Sequence, residues 1–271
     1  MITQEIRLDL KGQAPDVVIH PYILDNSQEI QPDRIRPLVI LLPGGGYEMR
    51  SFREAEPVAL RLMSLGLSVC LVDYAVTPDI FPAALLQIME TIAYAREHSK
   101  QWHIDPDRII VMGFSAGGHL AASVGVFWNK PFYSGKIGHS PEEVKPNALC
   151  LCYPVITSGE YAHRGSIELL LGEEIDIYSQ TVSLEEQVNK DVPPCFIWHT
   201  WYDQSVPVEN ALLFAQALRK YHIPFSLHIF SKGVHGLSLS NDQVFGDSDS
   251  LNAREDTARW VELFDDWRRQ L

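Results

Sequence analysis

Short apolar runs recur along the chain and alternate with longer segments in which apolar residues follow helical spacing. The runs are rich in Val, Ile, Leu and Cys, which is typical of parallel strands that are buried on both faces. They occupy residues 37–42, 67–72, 108–112, 148–152, 195–198 and 225–230. Helical spacing covers residues 54–65, 82–102, 116–127, 208–221 and 253–270. Repeated strand and helix predict an α/β fold with helices on both faces of a parallel sheet.

Two parts of the chain depart from this alternation. Residues 2–10 and 16–24 alternate polar and apolar positions around Gly12 and Pro15, which predicts an antiparallel ribbon at the start. Residues 157–191 mix polar and apolar positions without a clear strand. We predict that they form a small cap insertion over the carboxyl edge of the sheet, where such folds bind ligands. No linker or repeat is visible, so we expect one domain over residues 1–271.

Composition narrows the classes of function. The chain has 22 Lys and Arg residues against 35 Asp and Glu residues, a formal net charge of −13. Such a charge repels polyphosphate, so we expect a small-molecule partner rather than nucleic acid or a membrane surface. With 46% hydrophobic and 21% charged residues, the chain is of the globular class. The sequence carries no signal for an oligomeric state.

The cysteines and the N-terminus bear on the compartment. Cys70, Cys150, Cys152 and Cys195 all lie in apolar runs, and no Cys-x-x-Cys pair occurs. Reduced core thiols are the favoured interpretation, ahead of disulfides or metal ligands. No secretory signal is visible after Met1, and no apolar run approaches the roughly 20 residues of a membrane span. We therefore predict a cytoplasmic protein.

A serine lies in the turn between a predicted strand and a predicted helix. Gly113-Phe114-Ser115-Ala116-Gly117 follows the apolar run 109–112. Such a turn exposes a serine in strained dihedrals, and small residues two places before and after it keep the strand and helix from colliding. Ser115 is the candidate nucleophile, and the amide of Ala116 is a candidate oxyanion-hole donor. A turn without chemistry is the alternative.

Three consecutive glycines follow the first core strand, in Pro43-Gly44-Gly45-Gly46-Tyr47. Ordering them costs chain entropy, so a steric reason to exclude side chains is expected. A loop that brings bare amides to within about 3 Å of a substrate oxygen supplies this reason. We predict that Gly45 and Gly46 are oxyanion-hole donors and that Gly44 sets the turn. A flexible loop is the alternative.

A serine nucleophile needs a histidine as base and a carboxylate that orients the histidine. Asp203 follows the run 195–199, and His235 follows the run 225–230, each on a loop beyond the carboxyl end of a strand. The chain order serine, acid, histidine is that of α/β folds with a serine turn. Glu209 and Asp191 are the alternative acids.

Two other histidines lie near these segments. His199 precedes Asp203 on the same strand end, so its order is wrong for the base, and we interpret it as a polar anchor. His119 lies one helical turn after Ser115 and is interpreted as a packed or hydrogen-bonded helix residue, with substrate contact as the alternative. The chain contains no His-Glu-x-x-His, Cys/His cluster or calcium loop, so we predict no metal.

With these residues placed, the chain resembles the α/β-hydrolase superfamily, and within it bacterial esterases and lipases related to hormone-sensitive lipase and carbohydrate acetyl esterases. The segments that carry the resemblance are residues 43–47, 104–121, 203–207 and 233–236. It implies a mostly parallel sheet of about eight strands and cofactor-free ester hydrolysis through an acyl-enzyme on Ser115, with Asp203 and His235. Pro43 replaces the histidine of the hormone-sensitive-lipase branch, and residues 73–78 lack its arginine. The acetyl-esterase branch fits better.

The substrate hypothesis is a short-chain acyl ester, in first place an acetyl ester, with a carbohydrate as one candidate alcohol. The predicted insertion is short for a lipase lid. Tyr47, Trp201 and Tyr202 are candidate substrate contacts because aromatic faces stack on sugars; ordinary packing is the alternative. Two other classes stay open, which are a serine peptidase of the prolyl-oligopeptidase type and a non-catalytic binding module on a hydrolase fold.

Overall fold

An eight-stranded sheet forms the centre of the computed structural model, which describes residues 1–245 and 255–271. The strands are β1 (Ile6–Leu8), β2 (Val17–Tyr22), β3 (Arg36–Leu42), β4 (Ser68–Asp73), β5 (Ile104–Phe114), β6 (Ala148–Cys152), β7 (Cys195–Thr200) and β8 (Phe225–Phe230). Their spatial order is β1-β2-β4-β3-β5-β6-β7-β8. Only the pairings of β1 with β2 and of β2 with β4 are antiparallel within this sheet. The predicted mostly parallel α/β sheet is confirmed.

Alternate residues of each inner strand enter two separate cores. In β3, Leu38 and Ile40 pack on one face, whereas Val39 and Leu41 pack on the other. Successive side chains of a strand point to opposite faces, so an apolar run without alternation supplies both cores at once. This burial on both faces explains why the inner strands read as continuous apolar runs.

Helices cover both faces of the sheet. They are α1 (Glu56–Ser64), α2 (Ala83–Glu97), α3 (Ala116–Phe127), α4 (Pro131–Ser134), α5 (Pro141–Val144), α6 (Arg164–Leu171), α7 (Ile175–Tyr178), α8 (Leu184–Gln187), α9 (Glu209–Lys220), α10 (Glu255–Ala258) and α11 (Trp260–Arg268). Short 3₁₀ turns are Phe52–Glu54, Gly135–Ile137 and Gly172–Glu174. In the ranges that the structure covers, none of the helices combines the length and apolarity of a membrane span.

One predicted helix ends earlier in the structure than the sequence pattern indicated. The helix predicted over residues 82–102 ends at Glu97, and the chain turns before β5. Trp102 prolonged the apparent periodicity because it is buried, at 1% exposure, although it lies in the turn. The beginning of the predicted helix 253–270 lies outside the described residues.

Residues 157–191 form α6, α7 and α8 and no strand. Ile167 and Leu171 are buried in the same core as α2 and α3. The carbonyl of Leu170 accepts a hydrogen bond from the Phe81 amide at 2.8 Å. The segment therefore packs on the body of the protein through its own apolar residues.

Candidate active site

The turn after β5 holds Ser115 in an unusual backbone conformation. Its φ is 53° and its ψ is −118°, between the end of β5 at Phe114 and the start of α3 at Ala116. An L-residue adopts positive φ at a steric cost, so the surrounding packing must hold it there. The Ser115 amide donates to the Cys152 carbonyl at 3.0 Å, which ties the turn to the end of β6. The structure thus has the strand-turn-helix geometry that the sequence predicted.

Two glycines make this turn possible. A Cβ atom added at Gly113 would lie 2.0 Å from the Gly117 carbonyl oxygen, and one at Gly117 would lie 2.2 Å from the Leu42 carbonyl oxygen. Both contacts are with backbone atoms, which cannot move without displacing β3 or α3. A side chain at either place would push the helix away from the sheet.

Replacing Gly117 with alanine is expected to destabilise the fold by about 3 kcal/mol or more, since it overpacks a backbone contact. For a domain of this size we expect thermal unfolding to move down by roughly 6 °C or more. The matched control is Gly135→Ala, because a Cβ at Gly135 has no heavy atom within 4 Å and its φ is −65°. Equal melting temperatures for the two variants, measured by calorimetry, would contradict the steric argument.

The structure brings Ser115, His235 and Asp203 together. Ser115 Oγ lies 2.8 Å from His235 Nε2, and His235 Nδ1 lies 2.6 Å from Asp203 Oδ2. A carboxylate only accepts hydrogen bonds, so Nδ1 carries the proton and Nε2 is free to accept from the serine hydroxyl. One hydrogen-bonded line therefore joins three residues that are distant in the chain. Ser115 is 120 positions from His235, and Asp203 is 32 positions from it.

Both carboxylate oxygens of Asp203 accept hydrogen bonds, Oδ2 from His235 and Oδ1 from two backbone amides. Its Oδ1 accepts from the amides of Ser205 at 3.0 Å and Val206 at 2.9 Å. Burial alone would raise the pKa of Asp203, but hydrogen bonds from His199 and His235, the charge of His235 and the Val206 amide hold that pKa below its ordinary value. The carboxylate consequently stays ionised beside the imidazole at neutral pH.

His199 supports the aspartate loop, as the sequence indicated. Its Nε2 donates to the Val206 carbonyl at 2.9 Å and lies 3.4 Å from Asp203 Oδ2. The ring is fully buried on β7. His199 therefore anchors the loop that carries the acid, and it lies close to the same carboxylate oxygen that His235 contacts.

The glycine loop (residues 43–47) lies against the serine turn. Among the described residues, the amides of Gly45, Gly46 and Ala116 donate no hydrogen bond to the protein. Gly45 and Gly46 have φ of 131° and 68°, and a Cβ on Gly45 would lie 2.1 Å from the Met49 carbonyl oxygen. Amides without an internal acceptor beside Ser115 are available to a substrate oxygen. The Gly44 amide is occupied, because it donates to Glu54 Oε2 at 2.7 Å.

Tyr47 does not occupy the position predicted for a substrate contact. It is only 2% exposed, and its hydroxyl lies 2.9 Å from His119 Nδ1. His119 Nε2 donates in turn to the Val182 carbonyl at 2.9 Å, so Tyr47 is the donor in the first bond. Burial lowers the pKa of His119 to about 4. Tyr47 therefore has no free face for a sugar and instead ties the glycine loop to α3 and the insertion.

Trp201 and Tyr202 are placed differently. They are 59% and 60% exposed, immediately before Asp203 in the chain. Large aromatic side chains at this exposure are available to a ligand. Their role as substrate contacts stays a prediction.

Several polar residues at the site carry no sequence motif. Glu54 and Tyr153 share a short hydrogen bond below the glycine loop, at 2.6 Å. Ser166 and His163 come from the insertion, and Ser166 Oγ lies 2.8 Å from His163 Nδ1. A Cβ added on Gly46 would lie 3.7 Å from this hydroxyl, which places it beside the glycine loop. Burial, then the charge of His235, lowers the pKa of His163. These residues lie at ordinary helix, turn and strand-end positions, so spacing alone gave no signal for them.

The remaining ligand-forming residues do not converge. Across the two described ranges, no group of three or more His, Cys, Asp or Glu side chains is arranged to hold a metal ion. Within those ranges the four cysteines are buried and free.

The fold and the serine turn together are those of an α/β-hydrolase. The chain belongs to the BD-FAE family, whose model matches residues 25–218. Solved structures similar over nearly the whole chain include an acetyl ester-xyloside bifunctional hydrolase from Caldicellulosiruptor lactoaceticus. It is 41% identical with a TM-score of 0.80, over 94% of this chain and 88% of that one. A carboxylesterase from Lactobacillus plantarum is 27% identical with a TM-score of 0.88, over 100% and 98%.

A curated relative matches over a smaller part of its own length. Endo-1,4-beta-xylanase B from Butyrivibrio fibrisolvens is 37% identical over 226 residues. The match covers 78% of this chain and 34% of that protein. The chain therefore spans about a third of the length of this relative, which contains further sequence outside the match. The resemblance to α/β-hydrolase esterases is confirmed by the family and by these neighbours.

Proposed function

We propose that this protein is a serine carboxylesterase that hydrolyses short-chain acyl esters, acetyl esters first, through an acyl-enzyme. The observation that carries the proposal is the hydrogen-bonded line from Ser115 through His235 to Asp203, with distances of 2.8 and 2.6 Å. The similarity to an acetyl ester hydrolase and to a carboxylesterase supports the choice of ester over peptide.

The proposed reaction has two steps. His235 Nε2 takes the proton of Ser115 as its Oγ attacks the ester carbonyl, and the imidazolium then protonates the departing alcohol. The acyl group is left on Ser115. A water molecule, deprotonated by the same imidazole, attacks the acyl carbon, and the serine leaves with the proton from the imidazolium.

The tetrahedral oxyanion formed in each step would be bound by free backbone amides. Ala116 supplies one at the N-terminus of α3, where the helix dipole also favours negative charge. Gly45 and Gly46 are the candidate donors from the other side. These donors are held by the fold before substrate binds, so they need little reorganisation as charge develops.

The acyl group is proposed to be short. The insertion buries the apolar side chains of Ile167, Leu170 and Leu171 against the body of the protein, which leaves fewer apolar side chains for a lid of the lipase kind. We expect kcat/KM on p-nitrophenyl esters to be highest between acetyl and butyryl and to fall by about tenfold or more at octanoyl. The reason is that a methylene group without a matching pocket gains no free energy from burial. A rise in kcat/KM beyond eight carbons would contradict this prediction.

A carbohydrate is the proposed alcohol. Exposed Trp201 and Tyr202 beside the acid loop offer stacking faces, and a relative that is named for both acetyl ester and xyloside hydrolysis supports this direction.

The test of the proposed function uses the intact chain with three substrate classes. Acetylated xylo-oligosaccharides, p-nitrophenyl acetate and a proline-containing peptide are compared by kcat/KM, and a fluorophosphonate probe is mapped by mass spectrometry. We expect acetate release and labelling on Ser115. Peptide cleavage without ester turnover would identify a peptidase, and a chain that neither turns over ester nor takes the probe would identify a binding module.

A further inference from the structure

We propose that Glu54 is a positioning residue of this active site, whose buried carboxylate holds the glycine loop through Gly44 and the His235 loop (residues 231–240) through Tyr153. The inference rests on the proposed function, because these two loops are the ones that would hold the oxyanion and the general base.

The carboxylate is enclosed and doubly bonded. Glu54 is 4% exposed, its Oε2 accepts from the Gly44 amide at 2.7 Å, and its Oε1 accepts from the Tyr153 hydroxyl at 2.6 Å. Hydrogen bonds to a charged acceptor are shorter and stronger than neutral ones. A Cβ on Gly44 would lie 2.7 Å from Glu54 Oε2 and 2.9 Å from Ser115 Cβ. Because Gly44 has no side chain, the Glu54 carboxylate and the serine turn can both pack against its Cα.

Tyr153 extends the contact to the histidine. Its hydroxyl accepts from the Ser238 amide at 2.9 Å. Its ring meets the His235 ring edge-on, with the centroids 5.1 Å apart and the planes at 71°. Two loops that lie on either side of Ser115 are thus fixed by one carboxylate and one phenol. The mechanism itself uses neither group.

Both carboxylate oxygens receive donors, which suits only the ionised form. A protonated carboxyl would direct its own O–H toward one of those donors, so either the Gly44 amide or the Tyr153 hydroxyl would lose its acceptor. Burial raises the pKa of Glu54 above its ordinary value, against the hydrogen bonds of Tyr153 and Gly44. The charged form is therefore lost at a higher pH than for an exposed glutamate.

Other ionisable groups surround this carboxylate. They come from the 3₁₀ turn, the ends of β4 and β6, and the His235 loop, and they are Arg53, Tyr74, Cys152, Tyr153 and His235. The two tyrosines and the cysteine have pKa values raised by burial and stay neutral around pH 4 to 8. The proposed mechanism needs His235 neutral as the general base, so its protonation also stops the reaction. Protonation of Glu54 would then add a second proton on the acid side of the pH profile.

The first test is the pH dependence of kcat/KM for Glu54→Gln against Glu56→Gln. Glu56 is an exposed glutamate of α1 whose side chain meets Tyr22, so it is the matched control. We expect Glu54→Gln to lower kcat by about 10- to 100-fold with a smaller change in KM, since misplaced donors weaken transition-state binding more than ester binding. When log kcat/KM is plotted against pH, the slope on the acid side should exceed 1 in the wild type and in Glu56→Gln. In Glu54→Gln it should equal 1. Wild-type kcat and slope in Glu54→Gln would overturn the proposal.

Tyr153→Phe provides a second variant that keeps the carboxylate. Loss of the phenol hydrogen bond raises the pKa of Glu54 further, so the acid limb should move to higher pH. An acid limb at the same pH as in the wild type would contradict the proposal, even if Glu54→Gln does not fold.

A third measurement needs no substrate. The ¹H–¹⁵N resonance of the Gly44 amide should shift with pH in the wild type and in Glu56→Gln as Glu54 titrates, and should not shift in Glu54→Gln. A Gly44 resonance that is insensitive to pH in the wild type overturns the inference even in an active esterase. A Gly44 titration in a chain without ester turnover supports the contact while the proposed function fails.

Discussion

Ser115→Ala is expected to lower ester turnover by about 10⁴-fold or more while the fold stays intact, because it removes the hydroxyl that carries the acyl group in the proposed reaction. The substitution removes one hydroxyl that bonds to His235 and leaves the backbone bonds of the turn in place. Turnover of p-nitrophenyl acetate and probe labelling should both be lost, with an unchanged melting temperature.

Ser123→Ala is the matched control for this prediction. Ser123 is a buried serine of α3, the helix that follows Ser115, and its hydroxyl donates to the His119 carbonyl at 2.8 Å. It should keep wild-type turnover and labelling. If Ser115→Ala retained more than about one per cent of the activity, Ser115 would not be the nucleophile.

Asp203→Asn is expected to lower kcat by about 10³- to 10⁴-fold, because it reverses the histidine tautomer. The amides of Ser205 and Val206 require an oxygen at the Oδ1 position, so the asparagine NH₂ must face His235. An N–H donor there makes Nδ1 the acceptor and leaves the proton on Nε2, which then cannot take the proton of Ser115.

Controls for this variant are Asp191→Asn and Glu209→Gln, the alternative acids from the sequence. Asp191 is exposed and accepts a hydrogen bond from Asn129, and Glu209 lies in the first turn of α9. Both variants should stay within about threefold of wild-type kcat. A large loss in either, with activity kept in Asp203→Asn, would reassign the acid.

Asp203→Asn should also change how the stability of the fold depends on pH. The folded-state pKa of Asp203 lies below its ordinary value, so the ionised carboxylate stabilises the fold above about pH 4, and this contribution is lost as the pH falls toward the folded-state pKa. The stability difference between the wild type and Asp203→Asn should therefore shrink below about pH 4 in urea titrations.

Fold and site were predictable to different degrees. The inner strands were recognisable because burial on both faces demands apolar runs, and the sheet confirms them. Periodicity did not mark the end of α2: Trp102 satisfies the helical period but lies in a turn, since a side chain can be buried without being helical. The burial of Tyr47, a predicted sugar contact, was not visible in the sequence because exposure depends on what packs over a loop, here His119 on α3.

By itself, the sequence determined the order of the inner strands and of the longer helices α1, α2, α3, α9 and α11, the serine turn, and the chain order of Ser115, Asp203 and His235. These features follow from local sterics and periodicity, which neighbouring residues express directly. Only the tertiary structure decided that Glu54 meets Tyr153, 99 positions away, and that Tyr47 meets His119, 72 positions away. Such contacts arise where strand ends from distant segments converge at one sheet edge, and nothing in the local pattern of a glutamate in a short turn specifies its partner.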